Sequence, residues 1–441
     1  MIENISQVEF SQRRAALLQQ LEDNCAVIIQ SAPMVNRNSD VDYLFRQDSD
    51  FFYFTGFNEP DAVLLLTRVA GEVQYQVFCQ PRDKKMEIWF GYRCGEQGLL
   101  DNFNVDAAYS NDLLAEKMPE LLNGVKNLYY SLGRVSLNER VHGWLATMRK
   151  RSRQGVIAPS HLLQLDDVAH EMRLIKSATE QDLLRRASEI SAQAHIIAMQ
   201  VCKEQMMEFQ LDAHIQHHFA MNGSQQAAYP SIVGGGKNAC VLHYIENNQQ
   251  LKSGDLVLID AGAEYQYYAG DITRTFPING KFSAEQAALY EVVLQANLEC
   301  TAMIKPGTSW GAIHDHAVLV ITSGLQSLGL LKGELHELIE SESYREFFMH
   351  KLGHWLGMDV HDVGNYKQAG EWRQLQAGMV MTVEPGIYVA IDNMDVEARW
   401  RGIGIRIEDD VLITATGCEV MTESVPKTIV EIEALMAGGS V

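Results

Sequence analysis

The chemistry of this chain starts with two aspartates. In Leu256-Val257-Leu258-Ile259-Asp260-Ala261-Gly262 an apolar run ends on a carboxylate, and Tyr268-Ala269-Gly270-Asp271-Ile272-Thr273-Arg274 brings a second one back after a short excursion. If the segments form a hairpin, Asp260 and Asp271 stand side by side on one face. Paired carboxylates against an apolar strand repel each other and lose hydration, which is costly unless a cation lies between them. Strand-end aspartates at turns are common, so the pair alone leaves a purely structural reading open. Met381-Thr382-Val383-Glu384-Pro385-Gly386 places a third carboxylate in apolar β sequence. Gly404-Ile405-Arg406-Ile407-Glu408-Asp409 alternates so that Arg406 and Glu408 share a face. Adding His354, from His350-Lys351-Leu352-Gly353-His354-Trp355, gives four carboxylates and one imidazole. Such an oxygen-rich set suits Mn²⁺ and its neighbours better than a thiolate-seeking metal.

The elements that must position these residues fall into two parts. The first reads as mixed α/β: a helical pattern over 7–21 and strands near 26–29, 62–67 and 74–78. A boundary is expected near Leu174 to Ser177, giving domains 1–175 and 176–441. There Ser177-Ala178-Thr179-Glu180 is a capping box opening a long amphipathic helix with Leu183, Leu184, Ala187, Ile190 and Ala194 on its apolar face. Beyond it, helices precede strands at 255–260 and 271–276, and helices again precede strands at 379–384 and 404–412. Segregated helices and largely antiparallel strands indicate an α+β fold, and the repeated order hints at internal duplication.

In this order and in these local motifs (LIDAG, AGDITRTF, HKLGHWLG, TVEPGIY, GIRIEDD) the five residues resemble the dinuclear site of the pita-bread metallopeptidases, and within them the aminopeptidase P family. The resemblance extends to Tyr229–Tyr244, Met349–Val363 and the N-terminal Arg46–Leu65, so it covers nearly the whole chain. It implies an N-terminal mixed α/β domain before a pita-bread catalytic domain. It also implies two divalent ions, with Mn²⁺ the expected metal, held by Asp260, Asp271, His354, Glu384 and Glu408. Two ions roughly 3.5 to 4 Å apart can acidify a shared water, polarise a carbonyl and hold a developing oxyanion. The implied activity is release of the first residue from peptides with proline second, Glu384 carrying the water proton to the departing nitrogen. By the same resemblance His243 and His361 bind the tetrahedral intermediate and the scissile region, while His350, Tyr388 and Arg406 line the proline pocket. Arg406 has an equal alternative as a buried partner orienting carboxylates, with Asp40 as a candidate counter-charge. Trp89 is expected either at a strand end that reaches a neighbouring subunit's site in a tetramer or dimer, or in the core of its own domain.

Two rival functions remain: a prolidase restricted to dipeptides, which shares all five ligands, and a non-catalytic binding module, which would have lost some of them. Other motifs carry less. Gly307-Thr308-Ser309-Trp310-Gly311 fits G-x-S-x-G but lacks a preceding strand, so Ser309 reads as a helix start. Gly234-Gly235-Gly236-Lys237 lacks the phosphate-loop spacing and reads as a flexible loop near the site. His214 and His218, and the acidic residues from Glu334 to Glu342, read as solvated helix faces.

The 441 residues carry 36 Lys+Arg against 57 Asp+Glu, a net charge of −21, which disfavours nucleic acid as a partner. No apolar run reaches the roughly 18 to 20 residues of a membrane span, and the N-terminus has no basic-then-apolar leader pattern. Seven scattered cysteines without a C-x-x-C pair read as reduced thiols of a cytoplasmic protein.

Overall fold

A computed structural model describes residues 5–438 and divides into two compact units between Arg173 and Leu174. In the first, helix α1 (Gln7–Gln20) starts where Ser6 accepts a hydrogen bond from the Glu9 N–H and buries Phe10, Leu17 and Leu18. The strands expected from the apolar runs are β1 (Cys25–Gln30), β2 (Val63–Val69) and β3 (Glu72–Cys79). With β4 (Ala107–Ser110), β5 (Asn127–Tyr130) and β6 (His161–Gln164) they form one sheet in the order β4-β3-β2-β1-β5-β6. Its centre is antiparallel and its flanks parallel. Ile28, Leu65 and Phe78 pack there with Val141, Trp144 and Leu145 of α2 (Val135–Lys150), a mixed α/β core. Trp89 is neither in that core nor at a strand end: it lies on a short helix, Lys84–Phe90, that buries none of its residues, and is 80% exposed.

The second unit opens with α3 (Ala178–Val201), whose capping box between Ser177 and Glu180 has both reciprocal hydrogen bonds and whose buried face includes Leu183, Leu184, Ala187, Ile190 and Ala194. Helix α4 (Glu208–Met221) follows, then β7 (Ile232–Gly235), β8 (Leu256–Asp260) and β9 (Thr273–Pro277) in the antiparallel order β9-β8-β7. Helices α5 (Ala284–Met303) and α6 (Trp310–Ser327) then precede β10 (Val380–Val383), β11 (Gly386–Val389), β12 (Ile403–Arg406), β13 (Asp409–Ile413) and β14 (Cys418–Val420). The helices-then-strands order therefore occurs twice. Strands β10, β13 and β14 form one sheet, and β11 and β12 a separate two-stranded ribbon.

Three local expectations are corrected. The segment 404–412 is not one strand: it breaks at Ile407-Glu408 and its halves join different sheets. Glu384 follows β10 rather than lying in it. The glycines at 234–236 are not a free loop, since Gly234 and Gly235 pair in β7 and Gly236 begins a 3₁₀ turn. Ser309 stands at the N-cap of α6, and His214 and the acidic side chains at 334, 337, 340 and 342 are exposed.

Candidate metal centre

Asp260 ends β8 opposite Thr273, and Asp271 lies two residues before β9 begins. The excursion between them folds back on itself, with Ala261 N–H donating to the Ile272 carbonyl and Gly270 N–H to that of Ala263. A side chain at 262 would sit 1.7 Å from the Gly270 carbonyl oxygen, so this close approach requires glycine. The Tyr229 hydroxyl binds both carboxylates, Asp260 Oδ1 at 2.6 Å and Asp271 Oδ1.

Asp271, His354 and Glu408 converge most tightly, each offering a ligand atom within 4.8 Å of the others. His354 Nε2 lies 3.3 Å from Asp271 Oδ2 and 3.6 Å from Glu384 Oε1. Its Nδ1 sits 3.0 Å from the Trp355 carbonyl, which fixes the hydrogen on Nδ1 and leaves the Nε2 lone pair for the cluster when the ring is neutral. Glu408 Oε2 accepts from Thr273 Oγ1 at 2.6 Å. Asp260 is held apart by Arg406, whose Nη2 meets its Oδ2 at 2.5 Å. Arg406 also donates to Thr273 Oγ1 and to the Tyr388 hydroxyl, both at 3.0 Å. Its counter-charge is therefore Asp260, in its own unit, rather than Asp40.

The electrostatics of this group is that of a site short of positive charge. Burial, and then the facing Asp271, Glu384 and Asp260, push Glu408 well above the usual carboxylate range. Burial lifts Glu384 to about 7, Asp271 and Asp260 adding to the rise against His354 and Arg406. Asp271 is raised by burial although His354 opposes it. Burial disfavours a charged His354, yet Asp271 and Glu384 overcome it and raise the ring to about 9. Protons are thus drawn to positions where oxygen and imidazole donors converge, and a divalent ion meets the same demand. The donor set fits such ions.

All five residues border one cavity of about 490 Å³, with His243, His350, His361, Lys351 and Arg406 and an apolar wall of Ile232, Leu242, Ile245 and Val360. His243 and His361 are exposed to it, and the His361 ring meets that of His354 edge-on at 4.2 Å. Partial burial and the neighbouring His354 and His243 hold His361 below the ordinary histidine value. His350 is engaged at both nitrogens, Nδ1 with the Lys351 carbonyl at 2.7 Å and Nε2 with the Tyr388 hydroxyl at 2.9 Å. Burial first and Arg406 second lower it to about 4, so the ring is neutral. Tyr388 is 2% exposed and lies behind His350 and Arg406 instead of lining the cavity. Tyr229 and Thr273, which tie the carboxylates together, stand in stretches that resemble the family, but nothing local assigns them this role: the partners of Tyr229 lie 31 and 42 residues away and Glu408, the carboxylate Thr273 binds, 135.

Comparison with known proteins agrees with this geometry. Residues 182–415 match the model of metallopeptidase family M24, and residues 10–129 that of the aminopeptidase P N-terminal domain. The chain is 47% identical to the Xaa-Pro aminopeptidase of Escherichia coli, with 98% of both chains covered. It is 34% identical to human Xaa-Pro aminopeptidase 3, covering 99% of this chain and 87% of that one. The structure of Pseudomonas aeruginosa aminopeptidase PepP superimposes with a TM-score of 0.97 at 49% identity over 99% of each chain. A zinc-substituted E. coli aminopeptidase P in complex with product does so with 0.97 at 46% over 100% of each. The pita-bread catalytic unit, the N-terminal domain before it and the acidic cluster with its histidine together place this chain in metallopeptidase family M24, as a divalent-metal-dependent hydrolase of the aminopeptidase P type.

Proposed function

We propose that the protein is a Xaa-Pro aminopeptidase, releasing the first residue from peptides with proline second and using two divalent ions, Mn²⁺ foremost. The observation that carries this reading is the convergence of Asp271, His354 and Glu408, with Glu384 beside them, at the floor of one cavity. The names of the relatives at 47% and 34% identity support the proline preference. In this reading Asp260, Asp271, His354, Glu384 and Glu408 hold the ions. The ions supply Lewis acidity toward the scissile carbonyl and toward water. Glu384 takes the proton from the attacking water and returns it to the proline nitrogen, which has no hydrogen of its own. His243 and His361 donate to the oxygen that becomes negative. His350, fixed by the chain from Arg406 through the Tyr388 hydroxyl, presents a neutral ring to the pyrrolidine. Arg406, spent on Asp260, Tyr388 and Thr273, serves chiefly to orient Asp260, and Tyr388 acts through His350.

We assign residues 1–175 to the N-terminal domain and 176–441 to the catalytic one. A cytoplasmic location is supported by seven unbridged cysteines. No helix among the described residues is long and apolar enough to cross a membrane. A homo-oligomer, tetramer or dimer, with Trp89 lining a neighbour's site, is supported by a patch in which Ile88, Trp89, Phe90 and Tyr92 are all more than 70% exposed; light scattering at a multiple of 49.5 kDa checks it.

Hydrolysis of a Xaa-Pro-Xaa tripeptide beside the Xaa-Pro dipeptide and a Xaa-Ala-Xaa tripeptide tests the activity. Release of the first residue from the proline tripeptide alone is expected. Cleavage of the dipeptide alone would make the protein a prolidase, and preference for the alanine peptide would remove the proline assignment.

A further inference from the structure

His361 stands on a stretch, 354–362, that contains no helix and no strand beyond an isolated bridge at Trp355. What holds it is buried directly behind it. Asp362 Oδ2 meets Lys176 Nζ at 3.0 Å, and both side chains are 1% exposed. The Asp362 N–H closes the stretch on the Trp355 carbonyl at 2.9 Å. Lys176 is itself anchored, its N–H on the Gly378 carbonyl at 2.8 Å and its carbonyl accepting from Gln181 Nε2 at 2.9 Å, immediately before the N-cap of α3. Gly357 is pressed against the pair, since a side chain there would lie 2.0 Å from Asp362 Oδ2 and 3.0 Å from Lys176 Cε. The Gly357 carbonyl in turn accepts from Ala269 N–H, in the turn that carries Asp271.

We infer that the buried Lys176–Asp362 pair is a positioning device that aims His361 into the cavity. A fully desolvated pair is an inefficient way to gain stability, because hydrophobic replacements of similar volume often do as well, whereas losing one partner leaves an uncompensated charge. It does, however, hold Asp362 inward, and the preceding side chain, His361, is exposed and meets the His354 ring edge-on at 4.2 Å. Lys176 touches neither substrate nor metal and acts only through the backbone of that stretch. The inference rests on the proposed role of His361.

The test is a double-mutant cycle of Lys176→Met with His361→Ala in the metal-loaded enzyme, measuring kcat, KM, metal content and thermal stability. Expected are a 10- to 100-fold loss of kcat in Lys176→Met, in the range of a displaced catalytic contact, with KM changed less than about threefold and metal content intact. Expected too is a double variant little worse than His361→Ala alone. Multiplicative losses would overturn the inference, since Lys176 would then act elsewhere. An unaffected His361→Ala would instead refute the role of His361 and leave Lys176 with nothing to position. Asp362→Asn, which keeps the side-chain size, repeats the cycle where Lys176→Met does not fold. If neither variant yields folded enzyme, the pair serves folding alone and the positioning claim fails.

Discussion

The protein contains two clusters of nearly identical composition that behave in opposite ways. Asp50, Asp166 and His170 in the N-terminal unit, like Asp271, His354 and Glu408 in the catalytic unit, bring two carboxylates and an imidazole within 4.8 Å of one another. In the first, Arg173 Nη1 sits 2.8 Å from Asp50 Oδ1, Arg134 approaches the other oxygen at 3.7 Å and Ser131 donates to Asp166 at 2.6 Å. Burial alone would raise the Asp50 carboxyl, but His170 and Arg173 hold it well below its usual range. In the second, burial pushes the carboxyls up and their mutual repulsion adds to it: Arg406 is paired with Asp260, and among the described residues His354 is the one cation in ion-pair reach of Asp271. Ligand types within reach do not make a metal site. What separates the two is a deficit of internal positive charge, which of these two clusters the catalytic one shows and the N-terminal one does not.

The largest effect expected from this contrast is on turnover. Glu408→Ala should abolish hydrolysis of proline tripeptides, whereas Asp50→Asn should leave kcat within about twofold, because it touches no group in the cavity; equal losses in the two variants would erase the distinction. Next comes Glu384→Gln, which keeps the shape and removes the proton acceptor: kcat should fall roughly 10²- to 10⁴-fold. A rise in KM at constant kcat would assign Glu384 to binding instead.

On stability the ranking reverses. Asp50→Asn removes the charge that faces the buried Arg173, whose side chain is 3% exposed, and should destabilise the N-terminal unit by about 3–5 kcal/mol in denaturant unfolding. The smallest effect is its pH dependence. The folded-state value of Asp50 lies below its unfolded value near 3.9, so its contribution is complete above about pH 4 and fades as pH falls. The hydrogen bond and charge of Asp50 outweigh burial and raise His170, whose contribution is complete below its unfolded value near 6.5 and fades as pH rises through the folded one. The stability difference between wild type and Asp50→Asn should be flat from about pH 4 to 6.5 and shrink on both sides. A difference growing with acidity would contradict the pairing.

How much of this could be read from the sequence depends on the range of each interaction. The capping box at Ser177 and the apolar face of α3 were legible, because caps and helical periodicity act within a few residues. That Asp260, Asp271, His354, Glu384 and Glu408 border one cavity was expected from the resemblance of their local motifs to a known family, since strand patterning alone left the aspartate pair open to a structural reading. The break at Ile407-Glu408 was not: alternation runs through it unbroken, and the bend is imposed from outside, by Arg274 Nη1 donating to the Glu408 carbonyl at 2.6 Å and Glu408 N–H to that of Thr273 at 3.0 Å. Nor was Lys176, whose partner lies 186 residues away. Trp89, hydrophobic by composition, gave no sign that its helix buries nothing.

Calorimetric titration of chelator-treated protein with Mn²⁺, comparing wild type, Glu408→Ala and Asp50→Asn, tests the central claim most directly. Two ions per chain should bind to wild type and to Asp50→Asn, and fewer than two to Glu408→Ala. Binding that survives in Glu408→Ala, or is lost in Asp50→Asn, would contradict the assignment of the metal centre to the charge-deficient cluster.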